Sequence, residues 1–104
     1  MVNSVTLSGI VVTPVMEHEI PSGAKYLSFR MKNERKRGHR MTETLYVRVN
    51  VYSESQKRMC EDVGLDQGDR VWVHGELMAR KEGDDGKDVV EIKANQVDKT
   101  DKGD

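Results

Sequence analysis

The sequence predicts an all-β fold with one short helix, closed into a small barrel. Apolar and polar residues alternate with a period of two along five stretches, the pattern of strands that bury one face. The alternation lapses once, between the third and fourth stretches, over a length that suits a short helix. The chain has 104 residues, of which 36% are hydrophobic and 34% charged, so it can fill only one small core.

The first strand shows in Val5, Leu7, Gly9 and Val11 alternating with Thr6, Ser8, Ile10 and Val12. Gly9 in its middle predicts a bend or bulge, and a long bent first strand suits a small barrel. Pro14 and then Pro21-Ser22-Gly23 interrupt, the second as a turn that reverses the chain. From Lys25 to Asn33, Leu27, Phe29 and Met31 are expected inward, and Tyr26, Ser28, Arg30 and Lys32 outward. A basic loop is expected over Glu34 to Met41. The third strand, Thr44 to Tyr52, repeats the scheme, with Leu45, Val47, Val49 and Val51 inward and Tyr46, Arg48, Asn50 and Tyr52 outward.

Ser53 to Val63 gathers Met59, Cys60 and Val63 at helical spacing, with Ser53 or Ser55 as N-cap and Gly64 as stop. After the Asp66-Gln67-Gly68-Asp69 turn, the fourth strand runs from Arg70 to Arg80. Its expected inward residues are Val71, Val73, Gly75, Leu77 and Ala79, against Trp72, His74, Glu76 and Met78. Gly83-Asp84-Asp85-Gly86 reads as a hairpin loop and Val89 to Val97 as the fifth strand. Three strands, a helix and two strands is the element order of the five-stranded OB-fold barrel. The expected layout is one OB-fold domain over residues 1–97 and a short charged C-terminal tail over 98–104.

The formal net charge is -1, but placement matters more than the total. From Arg30 to Arg40 six basic residues (Arg30, Lys32, Arg35, Lys36, Arg37, Arg40) stand against the single acid Glu34, a local balance of +5. All three tyrosines, Tyr26, Tyr46 and Tyr52, fall on the outward face of strands two and three, interleaved with Arg30, Lys32 and Arg48. Aromatic rings stack on bases and neighbouring cations take phosphates, so such a face suits a single-stranded nucleic acid held without sequence readout. The run Arg35-Lys36-Arg37-Gly38-His39-Arg40 joins the two strands and is expected to act as a flexible phosphate clamp.

Other features read as structural. Trp72 and Met78 suit packing or a subunit interface. His18, His74 and Cys60 have no partner in sequence that makes a nucleophile–base pair or a metal site, and no cofactor is expected. Asp84 and Asp85 read as solvated turn formers. No apolar run is long enough to span a bilayer and no signal segment is visible. A single cysteine allows no internal disulfide, so a reducing cytoplasm is the expected setting.

The residues resemble the bacterial single-stranded DNA-binding protein family (SSB) and its relative, primosomal replication protein N (PriB). The resemblance runs through Asn3-Ser4-Val5-Thr6-Leu7-Ser8-Gly9, Pro21-Ser22-Gly23, Leu27-Ser28-Phe29, Tyr46-Val47-Arg48-Val49 to Tyr52, and Gly68-Asp69-Arg70-Val71-Trp72-Val73-His74-Gly75-Glu76-Leu77. It implies that Tyr46 and Tyr52 stack on DNA with the basic Arg48 between them. The family's further tryptophan, in or just after strand two, has no aromatic counterpart in Asn33-Glu34-Arg35-Lys36. Family members that continue into a Gly/Pro/Gln-rich linker and an acidic tip differ from this sequence, which stops at Asp101-Lys102-Gly103-Asp104 as short relatives do.

The resulting expectation is a non-enzymatic, cytoplasmic, nucleoid-associated protein that binds single-stranded DNA in replication, replication restart or recombination. It is expected to form a homodimer or homotetramer and to meet replication restart or recombination proteins. The rival reading is an OB module that docks on a helicase or another replication factor.

Overall fold

The computed structural model describes residues 1–83 and 85–100. Its elements run β1 (Val5–Val11), β2 (Met16–Glu19), β3 (Lys25–Arg37), β4 (Met41–Val51), α1 (Glu54–Asp62), β5 (Arg70–Glu82) and β6 (Lys87–Lys99). The sheet order is β1-β5-β6-β4-β3-β2, and β1 also pairs with β3, so five of the strands close a barrel. That closure is short, Ile10 against Lys32 and Val11 against Met31. The one parallel pairing sets Val49, Asn50 and Val51 of β4 against Ile92, Lys93 and Ala94 of β6.

Gly9 is required where the barrel closes. A Cβ on it would lie 2.1 Å from the Lys32 carbonyl oxygen, so only a residue without a side chain lets β1 approach β3 there. Inside, Val11, Leu27, Phe29, Met31, Val47, Val49, Val51, Val71, Val73, Ile92, Ala94 and Val97 form one buried cluster. Burial of such aliphatic side chains is the main stabilising term for a chain of this size. Helix α1 closes one end of the barrel with Cys60, and the following Leu65 is buried too. Its N-cap is Ser53, whose carbonyl accepts from Lys57 N–H, although the Ser53 hydroxyl makes no cap bond and meets Ser55 Oγ instead. Lys57 Nζ donates to the Lys25 carbonyl (2.7 Å) and Gln56 Oε1 accepts from Val97 N–H (2.9 Å), tying helix to sheet.

Several expectations are corrected. The stretch before Pro21 holds a further short strand, β2, paired with the start of β3; four residues are too few for alternation to show. Glu34 to Arg37 are not loop but the end of β3, and Met41 begins β4, so the basic segment is a hairpin turning at Gly38-His39-Arg40. Gly38 takes the left-handed conformation there, φ 72°. Leu45 and Leu77, expected inward, are 49% and 46% exposed, and Ala79 is also exposed. The β3–β4 and β5–β6 hairpins run past the barrel, and beyond its rim neither face has a core to meet. Ser28 and Asn50, expected outward and exposed, lie on the outer face but are buried. Strand β6 extends to Lys99, so Asp98 and Lys99, expected in the tail, pair with Trp72 and Val71. Asp84 of the expected hairpin loop and residues 101–104 of the expected tail lie outside the described residues.

Candidate nucleic-acid interface

The pairing of β3 with β4 is unbroken from Leu27 opposite Val51 to Arg37 opposite Met41. An unbroken register keeps alternate residues on one side of the sheet along the whole hairpin. Arg30 therefore faces Arg48 across the strands and Lys32 faces Tyr46. Tyr26 and Tyr52 lie further along the same side, so the structure brings together the three tyrosines, Arg30, Lys32 and Arg48, with Lys36 toward the hairpin tip. Tyr46 is 54% exposed, which leaves its ring open to a ligand. Lys32 also bonds Glu34 (2.9 Å), and this contact raises the pKa of its ammonium.

The same register separates part of the basic run from this face. Arg35 and Arg37 point to the opposite side, where both bond Glu43, at 3.0 Å and 2.6 Å. Glu43 stands just outside the Arg30–Arg40 window, so the local charge balance overlooked it. Arg40 lies in the turn. The expected flexible clamp is thus a paired hairpin with two of its cations held by an acid.

Three rings form a ladder across β2, β3 and the end of β4. His18 is in register with Tyr26 and their ring centroids are 4.9 Å apart; Tyr52, on the other side of Tyr26, is 4.8 Å away. Tyr26 therefore has both ring faces occupied, and the open faces belong to His18 and Tyr52. Burial, then the neighbouring Tyr26, pushes the Tyr52 hydroxyl pKa up. His18, read from sequence as lacking a partner, also meets Ser28 Oγ at 2.6 Å. Its β2 position opposite Tyr26 could have been found only by recognising β2.

Beneath the face lies a polar layer that the alternation does not reveal. Asn50 is 1% exposed and Glu91 2%. Glu91 accepts from Asn50 Nδ2 at 2.9 Å and from Arg80 Nε at 2.8 Å, and Arg48 Nε stands 3.9 Å away. Burial alone raises a carboxyl pKa, but here the bonds from Asn50 and Arg80 and the charges of Arg80 and Arg48 outweigh it and hold Glu91 below the ordinary value. Arg48 Nε also donates to Asn50 Oδ1 at 3.1 Å, which fixes the guanidinium on the tyrosine face.

Elsewhere the chemistry is structural. Cys60 is buried and its thiol is pushed up to about 11 by that burial, which leaves no thiolate at neutral pH. His74 Nδ1 meets Thr6 Oγ1 at 2.8 Å and its ring stacks on Trp72. Among the described residues no group of His, Cys, Asp and Glu could hold a metal ion, and no helix is long and apolar enough to cross a membrane.

Residues 2–100 match the Single-strand binding protein family. No curated protein sequence matches the chain. Among solved structures it is similar to a Plasmodium falciparum SSB complex with ssDNA, at TM-score 0.79 and 25% identity, covering 97% of this chain and 96% of that one. It shares its fold with a small single-stranded DNA-binding protein from Streptomyces coelicolor (TM-score 0.75, 20% identity, 96% and 95% covered). The same holds for the mitochondrial single-stranded DNA-binding protein Rim1 of S. cerevisiae (TM-score 0.76, 15% identity, 100% of both covered). The match takes in every strand of the barrel and the whole tyrosine and arginine face, and the chain belongs to the single-strand binding protein family.

Proposed function

We propose that the chain holds single-stranded DNA, without strong sequence preference, across the outer face of β3 and β4, as a non-catalytic component of replication, replication restart or recombination. One observation carries the placement: Tyr46 and the open face of Tyr52 lie on the same side of one continuous hairpin as Arg30, Lys32 and Arg48. The rings meet bases and the cations meet phosphates. Tyr26 backs Tyr52, and Lys36 continues the phosphate track toward the hairpin tip. Arg40, in the turn, reaches a strand that passes around that tip, while Arg35 and Arg37 stay with Glu43 on the opposite side. Two or four copies of the chain assemble, and replication restart or recombination proteins are its protein partners.

Competition between oligo-dT and a duplex of equal length tests the reading. A stacking face needs bases free of partners, so the single strand is expected to win by a wide margin. Equal affinity for the two overturns it.

A further inference from the structure

We propose, on the basis of that sheet-face reading, that Arg80 joins Arg30 and Arg48 in a phosphate site for the bound strand, a hollow beside Tyr46 floored by the buried Glu91. Nothing in the sequence pattern points to Arg80, which lies on β5, away from the basic run. In the fold, β3, β4, β6 and β5 lie side by side around the barrel. Arg30, Arg48, Glu91 and Arg80, one from each strand, line a hollow of about 330 Å³ with Tyr46 in its wall. That volume is at the low end for ligand sites and suits one phosphodiester with its sugar.

The charge balance of the hollow calls for an anion. Arg30 and Arg48 are directly opposite each other, an arrangement that repels. The buried acid of the hollow, Glu91, is shared between Arg80 and Arg48, so three guanidinium groups stand over that carboxylate. Glu82 adds a second, at 3.3 Å from an Arg80 terminal nitrogen, but its side chain is 59% exposed and free to move away. Glu91 takes the Nε of Arg80, which leaves the two terminal amino groups as donors. A phosphate is the group that such a forked, always charged donor recognises best. Glu91 acts as a positioning residue that aims Arg80 and steadies Arg48, and Glu82 occupies the Arg80 donor until the strand arrives.

The experiment is the salt dependence of binding of a fluorescein-labelled oligo-dT to the full chain and its variants, with the thermal midpoint recorded for each. Arg80→Ala is expected to weaken binding about tenfold at low salt. It should also flatten the slope of log affinity against log salt by about 0.7, the share of one phosphate on a single strand. Arg80→Lys keeps the charge and should restore the slope while recovering only part of the affinity. Glu82→Gln should tighten binding a few-fold. These three variants change only Arg80 and Glu82, on the exposed arm, so the outcome does not depend on whether Glu91→Gln folds. A slope unchanged by Arg80→Ala, while Tyr46→Ala weakens binding, overturns the phosphate site and leaves the sheet-face reading intact. Unchanged affinity in both variants overturns the two together.

Discussion

A tyrosine on a strand can fill a surface, back a neighbour or offer a ring to a ligand, and the three tyrosines here differ in which ring faces remain open. Tyr46→Ala and Tyr52→Ala are each expected to weaken single-strand binding by about 1–3 kcal/mol with the fold retained, as loss of a stacking platform would. Equilibrium titration beside a thermal melt separates this from packing, because a packing residue shifts the melt and leaves affinity alone. Tyr26, held between His18 and Tyr52, acts through Tyr52, so Tyr26→Ala in a Tyr52→Ala background should cost less than Tyr26→Ala alone. Glu91 contributes to the pH response. Its pKa is lower in the folded chain than the ordinary 4.5, so it stabilises the fold above that value. The contribution is lost as pH falls through the lowered value. The thermal midpoint is therefore expected to drop as pH falls below about 4.5, and a folded Glu91→Gln variant should show a shallower drop there.

At the scale of elements, alternation made the barrel strands legible because each has one face against the core, and Leu27, Phe29, Met31, Val47, Val49 and Val51 are all buried as expected. It failed where that cause is missing. Beyond the rim, Leu45 and Leu77 continue the apolar rhythm with no core beneath them, and β2 is too short to have a rhythm. The tyrosine and arginine face was legible because it lies on two strands consecutive in sequence. The Glu91 layer was not, since Asn50 and Glu91 are 41 residues apart and meet only through the β4–β6 pairing. The hairpin carries a prediction of its own. Read as a loop, Arg35, Lys36 and Arg37 would each contribute a phosphate contact, and their joint replacement by alanine would change the salt slope by about 2. In the paired hairpin only Lys36 shares the tyrosine face, while Glu43 holds the other two. Lys36→Ala alone is thus expected to change the slope by about 0.7 and the triple replacement by little more, measured with oligo-dT at four salt concentrations. A triple change near 2 with a Lys36→Ala change near zero would place the phosphate track on the opposite side.

For the whole molecule, the barrel seals its own core but leaves apolar surface outside it. Leu45 at 49%, Leu77 at 46% and Val90 at 58% exposure lie on two hairpins that project past the rim. Strand β1 adds an open edge: it pairs with β5 from Val5 to Ile10, but with β3 only at Ile10 and Val11 among the described residues. On its free side the Ser8 carbonyl accepts from the Asn33 side chain. An unpaired strand edge beside exposed aliphatic residues is a template for another strand, and in a second copy of the same chain a two-fold axis lets each edge cover the other. Val5 and Leu7, partly buried against the core, would be covered further by such pairing. Assembly should therefore show in sedimentation as a species of two or four chains at micromolar concentration. Because association stabilises the folded state by mass action, the thermal midpoint is expected to rise with protein concentration. Leu7→Lys, which sets a charge beside the open edge, should shift the sedimenting species toward the monomer and remove that concentration dependence. A monomer in the unaltered protein, with a midpoint independent of concentration, would mean that the β1 edge is protected within one chain and that the proposed DNA face needs no second copy.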